Sequence, residues 1–184
     1  MNKLSALFIL LFLSASASAH PYGEALKHFT VGFASYNSVV TVEDPDDNTE
    51  DYEIYGFAAS VGYAISDQFA LRATFFSQEE DDSEFDSSGY DLLVHLGINM
   101  ASPGFKAYIG GGYFSDEWEL DSYSRSFDGL QLNGGIGYNW ESIALEFIIG
   151  IRDASEYEDF INEKALQEYS AAAASGSLML SARF

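Results

Sequence analysis

Hydrophobic residues recur at every second position through eight short segments of the chain. That is the pattern of strands with one apolar face. In the first segment, 28–39, Phe29, Val31 and Phe33 share a side. In 53–65 the shared set is Tyr55, Phe57, Ala59, Val61, Tyr63 and Ile65, and in 69–78 it is Phe69, Leu71, Ala73 and Phe75. Segment 89–100 places Tyr90, Leu92, Val94, Leu96, Ile98 and Met100 against Asp91, His95 and Asn99. Segment 105–115 sets Phe105, Ala107, Ile109 and Tyr113 on one face. Segment 127–140 alternates Leu130, Leu132, Ile136 and Tyr138 with Gln131, Asn133, Gly135 and Gly137. In 143–152, Ile143, Leu145, Phe147, Ile149 and Ile151 oppose Glu146 and Arg152. The last segment, 172–184, separates Leu178, Leu180, Ala182 and Phe184 from Ser177, Met179, Ser181 and Arg183.

The connections between these segments alternate strictly in length. Short turns are expected at Ser66-Asp67-Gln68, Ala101-Ser102-Pro103-Gly104 and Glu141-Ser142, and longer loops at 40–52, 79–88, 116–126 and 153–171. Short turns at one end and long loops at the other predict an all-β, eight-stranded antiparallel up-and-down transmembrane β-barrel. Each segment is close to the ~9–11 residues that cross a bilayer at a tilt. A soluble barrel would point its apolar stripes inward and its polar ones outward. Here one face is continuously apolar and aromatic, whereas the other mixes glycine, small residues and a few charges. That mixture suits a narrow lumen.

Composition sharpens this picture. The chain has 184 residues, no cysteine and a net charge of −21. The absence of cysteine excludes disulfides and thiolate metal sites. The acidity makes nucleic acid an improbable partner, because phosphate binding needs a basic surface. Of the 29 carboxylates, 24 fall in or beside the four long loops. The charge is therefore expected on one rim, with the membrane-facing stripes almost free of it. Aromatic residues are expected in two girdles. One comprises Tyr63, Phe69, Phe105, Tyr138, Trp140 and Phe184 near the short turns; the other comprises Tyr36, Tyr55, Phe75, Tyr90, Tyr113 and Phe127 near the long loops.

Residues 1–19 read as a secretory signal peptide, with Lys3 as the charged start, an apolar run from Leu4 to Leu13 and Ala17-Ser18-Ala19 as the cleavage pattern. Residues 20–27 would then be a short periplasmic segment and 28–184 the barrel. The signal peptide, the eight alternating segments and "LMLSARF" with its terminal Phe184 together resemble the small OmpA/OmpX-type outer-membrane barrels of Gram-negative bacteria. The resemblance implies that Leu178, Leu180, Ala182 and Phe184 carry the signal read by the barrel-assembly machinery. It also implies an outer-membrane location among lipid and lipopolysaccharide, with both termini periplasmic. A monomer is expected.

Candidate chemistry concentrates in the lumen. Arg72, Lys106, Arg152 and Arg183 should face Asp91, Glu146 and His95, with Asn99 near the short-turn end. Charges cut off from water need partners, so these residues are expected to form a structural salt-bridge and hydrogen-bond plug. Asp91 and His95 lie about 13 Å apart along one strand, too far to act as a catalytic pair. The long loops contain no histidine, so no enzyme activity and no cofactor are expected. The acidic stretch 43–53 places Asp44, Asp46 and Asn48 in an EF-hand-like register, but Thr49 replaces the glycine and Tyr55 the final Glu that the motif requires. Weak divalent-cation binding at 43–53 or 78–86 is weighed against simple solvation. The 153–171 loop spaces Tyr157, Phe160, Ile161 and Lys164 as a helix would, and an extension of the flanking strands fits it equally. The role expected is structural or surface-interactive. The alternatives are a narrow ion or solute path, a lipid A-modifying enzyme and a soluble lipocalin-like binding barrel.

Overall fold

The computed structural model describes residues 26–45, 48–79, 85–120, 123–164 and 169–184. The signal-peptide segment, most of 20–27, Asp46 and most of the acidic run 78–86 lie outside the described residues. Eight strands follow in chain order: β1 (Phe29–Glu43), β2 (Thr49–Ala64), β3 (Phe69–Glu79), β4 (Phe85–Ile98), β5 (Gly104–Leu120), β6 (Tyr123–Asn139), β7 (Ile143–Arg152) and β8 (Ser170–Arg183). Each pairs antiparallel with its neighbours, and β1 closes on β8. At the seam, Phe29 and Phe184 exchange backbone hydrogen bonds, with Phe29 N donating to Phe184 O at 3.2 Å and Phe184 N to Phe29 O at 2.8 Å. The terminal phenylalanine therefore completes the ring of strands, leaving no open edge.

The apolar stripes face outward, as the alternation requires. Leu132, Ile151, Leu130 and Ile109 are among the most exposed side chains. Such exposure is costly in water and normal against lipid.

Four expectations need correction. The long loops are shorter than expected, because the hairpins continue past the apolar belt. β1 and β2 remain paired to Glu43↔Thr49, and β5 and β6 to Leu120↔Tyr123. Outward apolarity ends where lipid ends, but backbone pairing does not, so the outward stripe marks the membrane crossing and not the strand end. Tyr36 and Phe127 do not belong to the outer girdle; they are 5% and 0% exposed. Both have the inward parity of their strands. Met100 is not on the lipid stripe. β4 stops at Ile98, and Asn99 adopts a left-handed backbone (φ 53°) that turns Met100 inward to 3% exposure. Finally, Asp116 is no solvated loop carboxylate but is 1% exposed inside the barrel.

Among its described residues the 153–171 loop forms a helix, α1 (Ser155–Lys164). Asp153 Oδ1 starts it by accepting from Ser155 N at 3.1 Å and Ser155 Oγ at 2.6 Å. Glu156 and Glu158 lie in its first turn, favourable to the helix dipole. α1 packs on an aromatic cluster above the membrane belt, composed of Phe114, Phe127 and Tyr157 with Val40, Val42 and Ala173.

Candidate functional site: a plugged lumen under an acidic rim

Inward parity brings seven of the eight expected lumen residues into the interior, where they divide into layers. In the lower layer, Glu146 on β7 is fully buried. Its two oxygens accept from Arg72 Nη2 at 2.9 and 2.7 Å. Lys106 Nζ lies 3.2 Å away. Tyr108 Oη donates to the same carboxylate at 2.9 Å while accepting from Arg72 Nη1 at 2.9 Å. The Tyr108 ring fits because Gly135 faces it across the β5–β6 ladder: a Cβ there would collide with the ring. His95 packs on the other side, its ring centroid 4.4 Å from that of Tyr108 and its Nε2 3.1 Å from Asn133 Nδ2.

The upper layer is built around Arg152, six residues further along β7 and so about 20 Å away along the strand. Its Nη2 donates to Asp91 Oδ1 at 3.0 Å and to Tyr36 Oη at 2.7 Å, and Tyr36 Oη donates on to Asp91 Oδ2 at 2.9 Å. Its Nη1 lies 3.5 Å from Asp116 Oδ2. The guanidinium also sits over the rings of Phe114 and Phe76, 4.7 and 5.0 Å from their centroids. Asp116 is a hub: Ser87 Oγ, Trp118 Nε1 and Tyr157 Oη all donate to it, at 2.6, 3.1 and 2.9 Å. The Tyr157 hydroxyl comes from α1, so the helix is bolted to the upper layer. Burial raises the Tyr157 phenol well above the usual tyrosine range, and the Asp116 charge adds to this.

A gap between the two layers, lined by Tyr36, Arg72, Asp91, Gln131 and Asn133 among others, has a volume of about 20 Å³. That is room for about one water molecule.

The bottom of the barrel is closed by its own turns. Arg183 donates to the carbonyls of Trp140 and Ala101 and does not bond Glu146, although β7 and β8 are neighbours. Asn139 Nδ2 donates to Asn99 O and Ser102 O at 2.6 and 3.1 Å. Asp67 accepts from the backbone N–H groups of Ala101 and Ser102 and from the Ser102 hydroxyl, at 3.1, 2.8 and 2.5 Å. The Ser102 hydroxyl, helped by these N–H groups, holds the Asp67 carboxyl below its ordinary range. Asn99, assigned to the lumen network from sequence, instead serves this turn, with Nδ2 donating to Phe105 O at 2.7 Å. Its strand ends one residue earlier, so its side chain no longer follows the inward alternation.

Sequence reasoning missed Tyr36, Tyr108, Asp116 and Tyr157 as parts of the plug. Parity alone identifies three of them. Tyr36 shares the inward face of Ala34 and Ser38, and Tyr108 and Asp116 share that of Lys106. Tyr157 has no such signal, because its position depends on a helix docking over the mouth.

Above the plug lies the acidic rim. Glu50, Asp51, Glu53, Glu117, Glu119 and Glu156 are exposed. A polar cleft of about 580 Å³ opens between the β1–β2 tip and α1, lined by Glu43, Asp44, Glu158, Asn162 and Tyr169. Among the described residues no group of His, Asp or Glu is arranged to hold a metal ion. Arg125, over the Phe160 ring, is the rim's only cation with a described side chain.

A closed ring of eight antiparallel strands with an apolar exterior and a charged, filled interior defines an eight-stranded outer-membrane barrel. Residues 5–182 match the family described as outer membrane protein beta-barrel domain. The chain belongs to that family, and its place is the outer membrane. No curated protein matches its sequence. Among solved structures, OprG from Pseudomonas aeruginosa is similar at a TM-score of 0.57 with 10% identity, covering 88% of this chain and 98% of OprG. Ail of Yersinia pestis, in complex with the heparin analogue sucrose octasulfate, gives 0.53 and 14%, covering 86% and 100%. Neisserial surface protein A gives 0.53 and 14%, covering 85% and 97%. At these identities the likeness is one of fold.

Proposed function

We propose that this protein is a sealed barrel that works through its outer surface and not through its lumen. The observation that carries this reading is the pair of ion clusters on β7, centred on Glu146 and Arg152, with space for about one water molecule between them. The turn around Ala101 closes the periplasmic end, and α1 with its aromatic cluster covers the outer end. Among the described residues these layers fill the lumen, which supports a barrel sealed to ions and solutes. Glu146 is held by two cations and a phenol, and His95, buried beneath Tyr108 with only its Nε2 facing the Asn133 amide, has no carboxylate or hydroxyl paired with it among the described residues. A lipid A-modifying activity therefore has no support from the interior.

The working surface is then the acidic rim. Its carboxylates favour cationic ligands, among them basic peptides and weakly held divalent cations that would bridge the rim to the phosphates of neighbouring lipopolysaccharide. Ail was solved with a polyanion; here the same kind of ligand would meet like charge. Assembly into the membrane through Leu178, Leu180, Ala182 and Phe184 belongs to the same reading, as does a monomeric state.

The test uses the full protein in proteoliposomes, titrated with fluorescent oligolysine and separately with sucrose octasulfate. Oligolysine should bind and weaken steeply with salt, since exposed charges are largely screened beyond about 10 Å at 0.1 M. The triple variant E50Q/D51N/E53Q should bind it less. Preference for the octasulfate, or oligolysine binding indifferent to salt, would overturn the proposal.

A further inference from the structure

The lipid-facing wall is not uniform. Where β5 and β6 pair, the outward positions Ala107 and Gly134 carry little or no side chain, while those around them are large. Gly134 pairs with Ile109 on one side and Ile149 on the other; Ala107 pairs with Ile136 and Ile98. The result is a trench of about 560 Å³ with Ala107 and Gly134 as floor and Leu96, Ile98, Ile109, Ile136, Phe147 and Ile149 as walls. A Cβ built on Gly134 would meet nothing nearer than the Tyr108 carbonyl oxygen at 3.6 Å. The position is therefore open to the outside, and the backbone does not require glycine there.

The depth of the trench identifies what fills it. Phe105 and Tyr138, paired across β5 and β6, belong to the girdle on the short-turn side, which is the periplasmic side in this architecture. Ala107 and Ile109 lie two and four residues beyond Phe105, about 7 and 13 Å along the strand. The trench thus sits in the periplasmic half of the hydrocarbon layer, continuous with the belt already in contact with acyl chains. A second copy of the protein is a poor occupant. A stable interface takes about 20–30 residues a side, whereas ten residues line this trench. In hydrocarbon there is no hydrophobic force to drive occupancy, so binding must come from close packing, and a concave wall gives more contacts than a flat one.

We propose that this trench is a retention site for one acyl chain of a periplasmic-leaflet phospholipid. Its specificity would reside in shape, with Ala107 and Gly134 providing the depth. The test is native mass spectrometry of the full protein released from nanodiscs that contain phospholipid together with lipid A. Wild type should retain one phospholipid per barrel. Gly134→Leu and, independently, Ala107→Leu should fill the trench and lower the retained fraction several-fold. Ala59→Leu, on the exposed face of β2 outside the trench, should leave retention unchanged. Heat-modifiable gel mobility verifies that each variant is folded, and two separate trench variants keep the test decisive if one fails. Equal retention in all four proteins, retention of lipid A instead, or a dimer without lipid would each overturn the proposal.

Discussion

Changing Glu146 to Gln tests whether the lower cluster is a charge-balanced unit. The carboxylate is fully buried and is approached by two cations, Arg72 at 2.7 Å and Lys106 at 3.2 Å. The variant leaves both positive charges buried with no counter-charge in contact, and it turns an amide N–H₂ toward groups that are themselves donors. Removing one partner of a buried pair typically costs about 3–5 kcal/mol, a large share of a total stability of roughly 5–15 kcal/mol. Asp91→Asn in the upper cluster is the matched comparison. Arg152 would keep Asp116 at 3.5 Å, so the loss should approach that of a hydrogen bond to a charged group, about 1.5–3 kcal/mol. The assay is reversible urea unfolding in lipid vesicles, read by the fluorescence of Trp118 and Trp140. The double variant E146Q/K106M removes one of the two orphaned cations and should recover part of the E146Q loss. The reasoning is refuted if D91N costs as much as E146Q, or if K106M recovers nothing.

The other predictions concern the ends of the barrel. Tyr157→Phe should cost about 1.5–3 kcal/mol by the same urea assay, since it deletes a donor to a charged carboxylate, and Tyr157→Ala should cost more by opening a cavity under α1. Asp67 has a folded-state pKa below its unfolded value, so its contribution is complete above about pH 4 and is lost as pH falls through the lowered value; Asp67→Asn should flatten the acid limb of the stability–pH curve and leave the alkaline limb unchanged. Asn99→Gly should keep the left-handed turn and lose only the bond to Phe105 O, whereas Asn99→Val should cost a further ~1–2 kcal/mol in melting experiments. Deleting Phe184 removes two backbone bonds at the seam, and outer-membrane yield should fall.

Much of this fold can be read from alternation alone, because lipid on one side and a filled lumen on the other force every strand into the same two-residue period. The eight strands, their order and the inward face of Arg72, Asp91, His95, Lys106, Glu146, Arg152 and Arg183 all follow from that period. The pattern fails where one of its two environments disappears. Above the membrane the outward positions turn polar (Thr41 and Glu43 on β1, Glu117 and Glu119 on β5), so the lipid-facing stripe ends although Val40, Val42 and Phe114 still point inward, and Asp116 sits in sequence among exposed acidic neighbours. At Asn99 a single left-handed residue breaks the parity, sending Met100 inside. Partner choice within the plug is a third case. Arg183 and Glu146 lie on neighbouring strands, but Glu146 pairs with Met179, four residues from Arg183; Glu146 instead meets Arg72 from the opposite wall, because side chains fill the interior of an eight-stranded barrel. The aromatic girdles show the same logic. Tyr63, Phe69, Phe105, Tyr138 and Trp140 are exposed at the short-turn side, whereas Tyr36 has the height of the outer girdle but the inward parity, and parity decides.

The most direct test of a sealed barrel is single-channel recording of the refolded full-length protein in planar bilayers, with wild type beside the double variant E146A/R152A. Wild type should show a flat baseline, and the double variant, stripped of the centre of both ion clusters, should show discrete openings. A steady conductance from wild type, in preparations whose gel mobility shows a folded barrel, would contradict the sealed lumen and restore an ion path as the function.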